Sequence, residues 1–391
     1  MTTLVTFTNL FPSSVLPTHG LFVFERMRRV AAASGMPWRV VAPVPDVPWL
    51  LRNASYRQWA AVPGDEVWHG VRVQHPRYRH WPGLSLRRQA RAMAAGARAT
   101  IAALRRAGPL VLDAHYLWPD GVAASLLAAE FGVPFTLTAR GSDVNVVAAD
   151  PVVRQGIAAA AAAAHACAAV SRALGDRFAA VAGLPRDRIL DVRNGVDLDR
   201  FQPGDRQAAR QLLGLPPSGR TVLGVGRLVP GKGFLLAAKA LHHLPADVEL
   251  VLVGDGPERA AIVAAGGPRV RCLANRPPDE VAAACRAADV LVLPSDREGW
   301  PNVVTEALAS GLPVVATRVG GIPEILGEPC PPWLGAMVAP GDGEALRAAL
   351  AQVLATPPDR ARIAAFAQRY GWEPPVRTLV DLFHRAARVT S

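Results

Sequence analysis

Two glutamates, with seven residues between them, frame the segment Glu298-Gly-Trp-Pro-Asn-Val-Val-Thr-Glu306. The first lies in a Gly/Pro loop and the second on a helix. Pro301 suits the first helical position and Gly311 the position just past the last turn, so the spacing predicts a helix over 301–310. This helix follows an apolar strand, Asp289-Val-Leu-Val-Leu-Pro294. A strand–loop–helix unit of this kind offers unpaired backbone N–H groups and a positive dipole end to a phosphate. Carboxylates beside a bound phosphate are repelled unless they hold hydroxyl groups, so sugar or ribose is the natural ligand for Glu298 and Glu306. The ordinary alternative is a loop glutamate and a solvated helix glutamate.

A second such unit lies upstream. Gly224-Val-Gly-Arg227-Leu-Val-Pro-Gly231-Lys232-Gly233 sits between a strand over 221–225 and a helical run over 234–242. Its glycines let the backbone approach a ligand, and Arg227 and Lys232 supply fixed positive charge for a pyrophosphate. Of the 43 basic residues only Lys232 and Lys239 are lysines, which suggests that a compact ammonium is wanted at 232. The segment nearly spells a P-loop with Gly226, Gly231 and Lys232. The position that needs Ser or Thr for Mg²⁺ is Gly233, which leaves a P-loop-like NTP-binding protein as the runner-up. A dinucleotide fingerprint fails on the third glycine and on the missing ribose acid.

Together, Gly226-Arg-Leu-x-x-x-Lys-Gly233, Leu252-Val-Gly254-Asp-Gly-Pro257, Glu298…Glu306 and Gly320-Gly-Ile-Pro-Glu324 resemble retaining glycosyltransferases of family 4, and the resemblance covers nearly the whole chain. Asn194-Gly-Val-Asp-Leu-Asp-Arg-Phe201 is similar to the family's interdomain signature. The first half (Thr18-His-Gly20-Leu-Phe, His115-Tyr-Leu-Trp-Pro-Asp120-Gly, Thr138-Ala-Arg140-Gly-Ser-Asp143) is similar to members that assemble extracellular polysaccharides, including teichuronic-acid-type enzymes. The resemblance implies an α/β chain of the GT-B fold, two Rossmann-like domains with parallel sheets facing across a cleft. It implies a nucleotide-diphosphate sugar (UDP- or GDP-sugar) as donor and a glycan or polyprenyl-linked acceptor. No metal or other cofactor is required.

By the same resemblance, Arg227 and Lys232 neutralise the donor's diphosphate and Glu298 contacts sugar hydroxyls. Backbone at Gly226, Gly254, Gly299, Trp300, Pro301, Asn302 and Val303 holds phosphate and sugar, and Glu306 takes the ribose hydroxyls. Gly20 lets the first loop approach the donor phosphate. His115, Asp120 and Asp143 stand on the acceptor side. Many relatives carry histidine where this chain has Arg140. Arginine is no base near neutral pH, so Arg140 is expected to bind a hydroxyl, a carboxylate or phosphate. Asp197-Leu-Asp199 looks like a metal-binding Asp-x-Asp but falls in the domain connection, where a structural role is expected.

With 391 residues, 50% of them hydrophobic, the chain can bury ample core as two domains. The boundaries read as 1–198, 199–372 and a closing helical segment, 373–391, that crosses back to the first domain. A Pro/Gly-rich stretch over 199–218 reads as a hinge. Strand-length apolar runs at 3–8, 38–43, 71–74, 110–113, 134–138, 166–170, 189–192, 221–225, 248–253, 269–273, 290–293 and 313–317 alternate with Ala/Leu-rich helical runs, as in βαβ sheets.

The four cysteines show no metal spacing and fit a reducing cytosol. The Ala-rich run 157–170 is too short to span a bilayer. The net charge of +11 is uneven: residues 1–110 hold 15 arginines against four acids, and the remainder is balanced. Arginines interleaved with Trp49, Trp59 and Trp81 suit an anionic membrane face, and no nucleic-acid recognition module is present. The expected location is cytoplasmic, peripheral on the inner face of the membrane.

Overall fold

The computed structural model describes residues 1–389; residues 390 and 391, the end of the expected 373–391 segment, lie outside it. The chain forms two compact units, Met1–Asn194 together with the stretch from Glu373, and Gly195–Trp372. The stretch 199–218 belongs wholly to the second unit. It folds there around the helix Arg206–Leu212, capped by the Asp205 carboxylate, in place of the expected hinge.

In the first unit the strands are β1 (Thr3–Phe7), β2 (Trp38–Val41), β3 (Val44–Asp46), β4 (Asp65–Trp68), β5 (Val71–Gln74), β6 (Arg77–Arg79), β7 (Leu110–His115), β8 (Phe135–Ala139), β9 (Ala166–Ala169) and β10 (Ile189–Asp191). Eight of them make one sheet in the order β10-β9-β8-β7-β1-β2-β5-β4, parallel except where β4 runs against β5. The parallel core strands are buried on both faces, which is why they read as unbroken apolar runs. The strand order reverses at β1, so the loops after β1 and β7 diverge there and leave a crevice at the carboxyl ends. The sequence reading missed β3, β4, β6 and the later β16. The short β3–β6 pair carries Pro45, Arg77 and Arg79 and lacks an apolar run.

The helix Leu21–Ser34 buries Val23, Arg26, Met27 and Val30, one helical stripe that includes an arginine. It begins after Gly20, at φ 65°, where a Cβ would fall 2.1 Å from the backbone of Leu10. The missing side chain at Gly20 thus makes room for the loop after β1. The last helix, Glu373–Arg388, lays Val376, Leu379, Leu382, Phe383 and Ala386 into the same unit, against the helix Leu21–Ser34.

The second unit holds β11 (Arg220–Val225), β12 (Val248–Val253), β13 (Val270–Cys272), β14 (Val290–Leu293), β15 (Val314–Thr317) and β16 (Gly335–Val338). All are parallel, in the order β13-β12-β11-β14-β15-β16. Leu228, Phe234, Leu250, Val292, Leu346 and Leu350 sit among the core residues between sheet and helices. Where the chain enters and leaves this unit, Val196 donates to the Tyr370 carbonyl at 2.8 Å. Nearby, a Cβ on Gly195 would meet Trp372 at 2.6 Å.

Candidate functional site

The carboxyl ends of β11, β12, β14 and β15 carry four loops that touch backbone to backbone, and glycine makes each contact possible. A Cβ on Gly254 would lie 1.9 Å from the Gly226 carbonyl, and one on Gly256 2.2 Å from that of Leu228. One on Gly320 would lie 1.9 Å from the Glu298 carbonyl, and Gly321 N–H donates to Gly299 at 3.0 Å. Gly233 has φ +73°, and a Cβ there would stand 2.0 Å from the Pro294 carbonyl oxygen. A serine or threonine in the P-loop's metal-binding position therefore has no room.

These loops surround the start of the helix Asn302–Ala309. Pro301, the expected first helical residue, instead precedes the helix with extended backbone as its N-cap, and its own side chain makes no cap bond. Trp300 and Pro301 are buried, and the Trp300 ring packs edge-on against Tyr370 at 6.0 Å. Tyr370 is itself fixed by donating to the Ile325 carbonyl at 2.7 Å. Asn302, Val303 and Glu306 are half-buried.

Beside this end, Lys232 Nζ donates to Glu298 Oε1 at 2.6 Å, the carboxylate being 10% exposed and the ammonium 27%. Residues 66 positions apart thus meet, and the proposed phosphate-side cation touches the proposed sugar-side carboxylate. Arg227 is exposed, with no side-chain partner among the described residues. Asp197 accepts from the Arg200 N–H at 3.2 Å in a local turn.

In the first unit, β7 and β8 present a second group of sequence-selected residues. Arg140 NH2 donates to His115 Nδ1 at 2.5 Å and its NH1 to Asn194 Oδ1 at 3.1 Å. His115 therefore carries its proton on Nε2, which faces Asp113 Oδ2 at 2.7 Å. Burial, opposed by Asp113, brings the His115 pKa down to about 4, so the imidazole is neutral. Burial and the like charge of Arg26 press the Arg140 pKa well below its ordinary value. Burial also works against the charge on Asp113, but His115, Thr136 and Arg140 outweigh it and hold the pKa below the usual range.

Asp143 accepts from the backbone N–H groups of Leu117, Arg140 and Gly141, and so fixes the loop that carries Arg140. Burial raises its pKa despite those donors. Asp120 stands apart, accepting from the Asn9 N–H of the loop after β1. Burial pushes its pKa up to about 8.

Arg26, Asp113 and Asn194 were given no role from the sequence. Arg26 is fully buried and donates to the Val192 carbonyl at 2.7 Å and to Asn194 Oδ1 at 2.8 Å. Two signals pointed to the pair: Arg26 falls in register with Val23, Met27 and Val30, and Asp113 interrupts an apolar strand.

Two α/β units built on mainly parallel sheets, the second with loops that touch through glycine, fit a glycosyltransferase of the GT-B fold. The family described as Glycosyltransferase Family 4 matches residues 26–200, and the one described as Glycosyl transferases group 1 matches residues 219–356. The chain is 32% identical over 329 residues to TuaC of Bacillus subtilis, named for teichuronic acid biosynthesis, covering 82% of each chain. It is 33% identical to a D-inositol 3-phosphate glycosyltransferase of Xylanimonas cellulosilytica, covering 71% of this chain and 72% of the other.

Among solved structures, sucrose-phosphate synthase from Thermosynechococcus elongatus superposes with a TM-score of 0.79 at 21% identity, covering 98% of both chains. HepE of Anabaena in complex with UDP-glucose superposes at 0.73 with 18% identity, covering 98% of this chain and 100% of that one. The chain belongs to glycosyltransferase family 4.

Proposed function

We propose that the protein moves a sugar, with retention of anomeric configuration and without a metal, from a nucleotide-diphosphate sugar to a hydroxyl of a glycan or polyprenyl-linked acceptor. The setting is cell-surface polysaccharide assembly on the cytoplasmic face of the membrane. The observation that carries this reading is the Lys232–Glu298 contact beside the start of the helix Asn302–Ala309: cation, carboxylate and a helix N-terminus at one loop cluster. A diphosphate needs the first and third, and a sugar hydroxyl the second.

In the step itself, the bond from the anomeric carbon to the diphosphate oxygen breaks and the acceptor oxygen bonds to the same face of that carbon. The acceptor's proton passes to the leaving diphosphate. Negative charge grows on the leaving group, where Arg227, Lys232 and the N–H groups at 302–303 stabilise it more than in the ground state. Glu298 accepts from sugar hydroxyls and Glu306 from the ribose. Gly20 lets the backbone approach the donor phosphate, and Arg140, His115, Asp120 and Asp143 of the first unit serve the transferred sugar and the acceptor. HepE's complexes with UDP and UDP-glucose favour UDP as the first base to test. TuaC's name favours a cell-surface polysaccharide.

Among the described residues no helix is long and apolar enough to cross a membrane. Peripheral association draws support from Trp49, Leu50 and Leu51 after β3 and from Trp81, Leu84 and Leu86 after β6. All six are exposed, and they leave neighbouring parallel strands.

Thermal-shift titration with UDP, GDP, ADP and ATP, with and without Mg²⁺, tests the donor reading. Stabilisation by a nucleoside diphosphate without metal is expected, and a strict Mg²⁺–ATP preference overturns it. The anomeric coupling constant of the product then reads the stereochemistry.

A further inference from the structure

Arg140 is a half-buried residue whose guanidinium has two hydrogen-bond partners, both uncharged, an amide oxygen on Asn194 and the imidazole nitrogen of His115, and whose Nε is buried without one. Among the described residues no carboxylate lies within ion-pair distance of it. Asp113 and Asp143 are near enough to act through charge, but Asp113 is engaged by His115 and Thr136, and the Asp143 oxygens take backbone N–H groups. A second, fully buried guanidinium, Arg26, shares the same Asn194 oxygen. Two cations thus converge on one neutral acceptor, and the outer one sits at the carboxyl end of β8, where open parallel sheets take their ligands.

Withdrawing a charge from water without a contacting counter-charge is costly. The cradle is rigid. Asp143 pins the backbone N–H of Arg140 itself, His115 and Asn194 hold two guanidinium nitrogens, and the Phe22 ring lies 5.2 Å from the guanidinium carbon. Guanidinium groups pair best with planar, bidentate oxyanions. Asp113 and Asp143 close by disfavour a dianion, which leaves a monoanion.

We propose that Arg140, cradled by His115 and Asn194, is a carboxylate subsite that makes the enzyme selective for a uronic acid in its sugar substrates. This rests on the transferase reading for its context but is tested apart from it. In saturation-transfer NMR, sodium glucuronate should bind the wild-type protein about tenfold or more tightly than methyl glucoside, the worth of one charge-assisted contact. Arg140→Gln and Arg140→His should bring the two within about twofold. Arg140→Lys should keep part of the preference. Circular dichroism checks that each variant is folded.

An Arg140-dependent preference for UDP-glucuronate over UDP-glucose places the carboxylate on the donor. A preference seen only with the free sugar places it on the acceptor. Equal binding of glucuronate and methyl glucoside overturns the proposal. So does a preference that survives Arg140→Gln, or glucose 6-phosphate binding as tightly as glucuronate. Wild-type stabilisation by UDP is read separately, so loss of the donor reading leaves the uronate comparison standing.

Discussion

Lys232 and Glu298 form a 2.6 Å ion pair across two loops that follow different strands. The proposed diphosphate cation and sugar carboxylate are therefore held by each other before a donor arrives. Removing one leaves the other half-buried without its partner. Lys232→Ala should lower kcat by about 10²-fold, since the lost charge matters most as the diphosphate leaves. The double variant with Glu298→Gln should cost less than the sum of the singles. Steady-state kinetics on the four proteins checks both statements, and strict additivity contradicts a shared role.

Glu298→Gln and Glu306→Gln should separate. The first removes a counter-charge from Lys232, so UDP affinity should hold or rise while transfer falls. The second should weaken UDP binding itself, because its proposed partner is the ribose. Calorimetric titration of both variants with UDP decides it; equal losses of affinity would merge the two roles.

Gly233→Ser would complete a P-loop on paper. The structure predicts the opposite outcome, because a side chain at φ +73° with its Cβ 2.0 Å from the Pro294 oxygen forces the loops after β11 and β14 apart. A loss of at least ~2 kcal/mol is expected, with weaker UDP binding and no gain of Mg²⁺–ATP binding. Thermal melts with each nucleotide measure it.

Asp120 gives stability a pH dependence of known sign. Its folded pKa of about 8 lies above the ordinary 3.8, so the protonated form suits the fold. That contribution is complete below about pH 3.8, falls as pH rises from there, and is gone once pH has passed about 8. Asp120→Asn keeps a neutral acceptor for the Asn9 N–H and should flatten the fall in Tm between pH 6.5 and 9, by roughly 2–4 °C per kcal/mol recovered. His115, with its pKa down at about 4, is neutral throughout that window and does not confuse the reading. Parallel Tm curves for variant and wild type would remove Asp120 as the cause.

The strands of both central sheets were legible because parallel strands buried on both faces must be apolar throughout, as in Val290–Leu293. The donor loops were legible because glycine spacing records where backbones touch. Hidden were contacts that need two distant segments at once. Arg26 looks like one of three surface arginines with Arg28 and Arg29 until Asn194 is brought to it. No local pattern announced that Lys232 and Glu298 meet. The β3–β6 pair was missed because four of its six residues are charged or proline and its strands are three residues long.

The β3–β6 pair lies in the basic first unit. Among the arginines of this basic stretch, Arg77 is not available to a membrane: its guanidinium donates to the Trp59 and Val62 carbonyls. Arg87 is paired with Asp150 at 3.0 Å. Arg79, Arg88 and Arg91 are exposed, with no side-chain partner among the described residues. Beside β3 and β6, Trp49 is 76% and Leu84 84% exposed, far more than a packed surface leaves on such residues. Basic charge would draw this face to an anionic leaflet at ~1 kcal/mol per residue, and the apolar side chains would hold it there when salt screens the charge. Vesicles with anionic lipid should therefore bind the protein at low salt and release it only in part as salt rises. Reversing Arg79, Arg88 and Arg91 to glutamate should lower binding at low salt. Trp49→Ser with Leu84→Ser should remove the salt-resistant part, with UDP affinity unchanged in both cases. Co-sedimentation at two salt concentrations reads these outcomes, and a wild-type protein that ignores anionic vesicles at low salt sinks the membrane assignment.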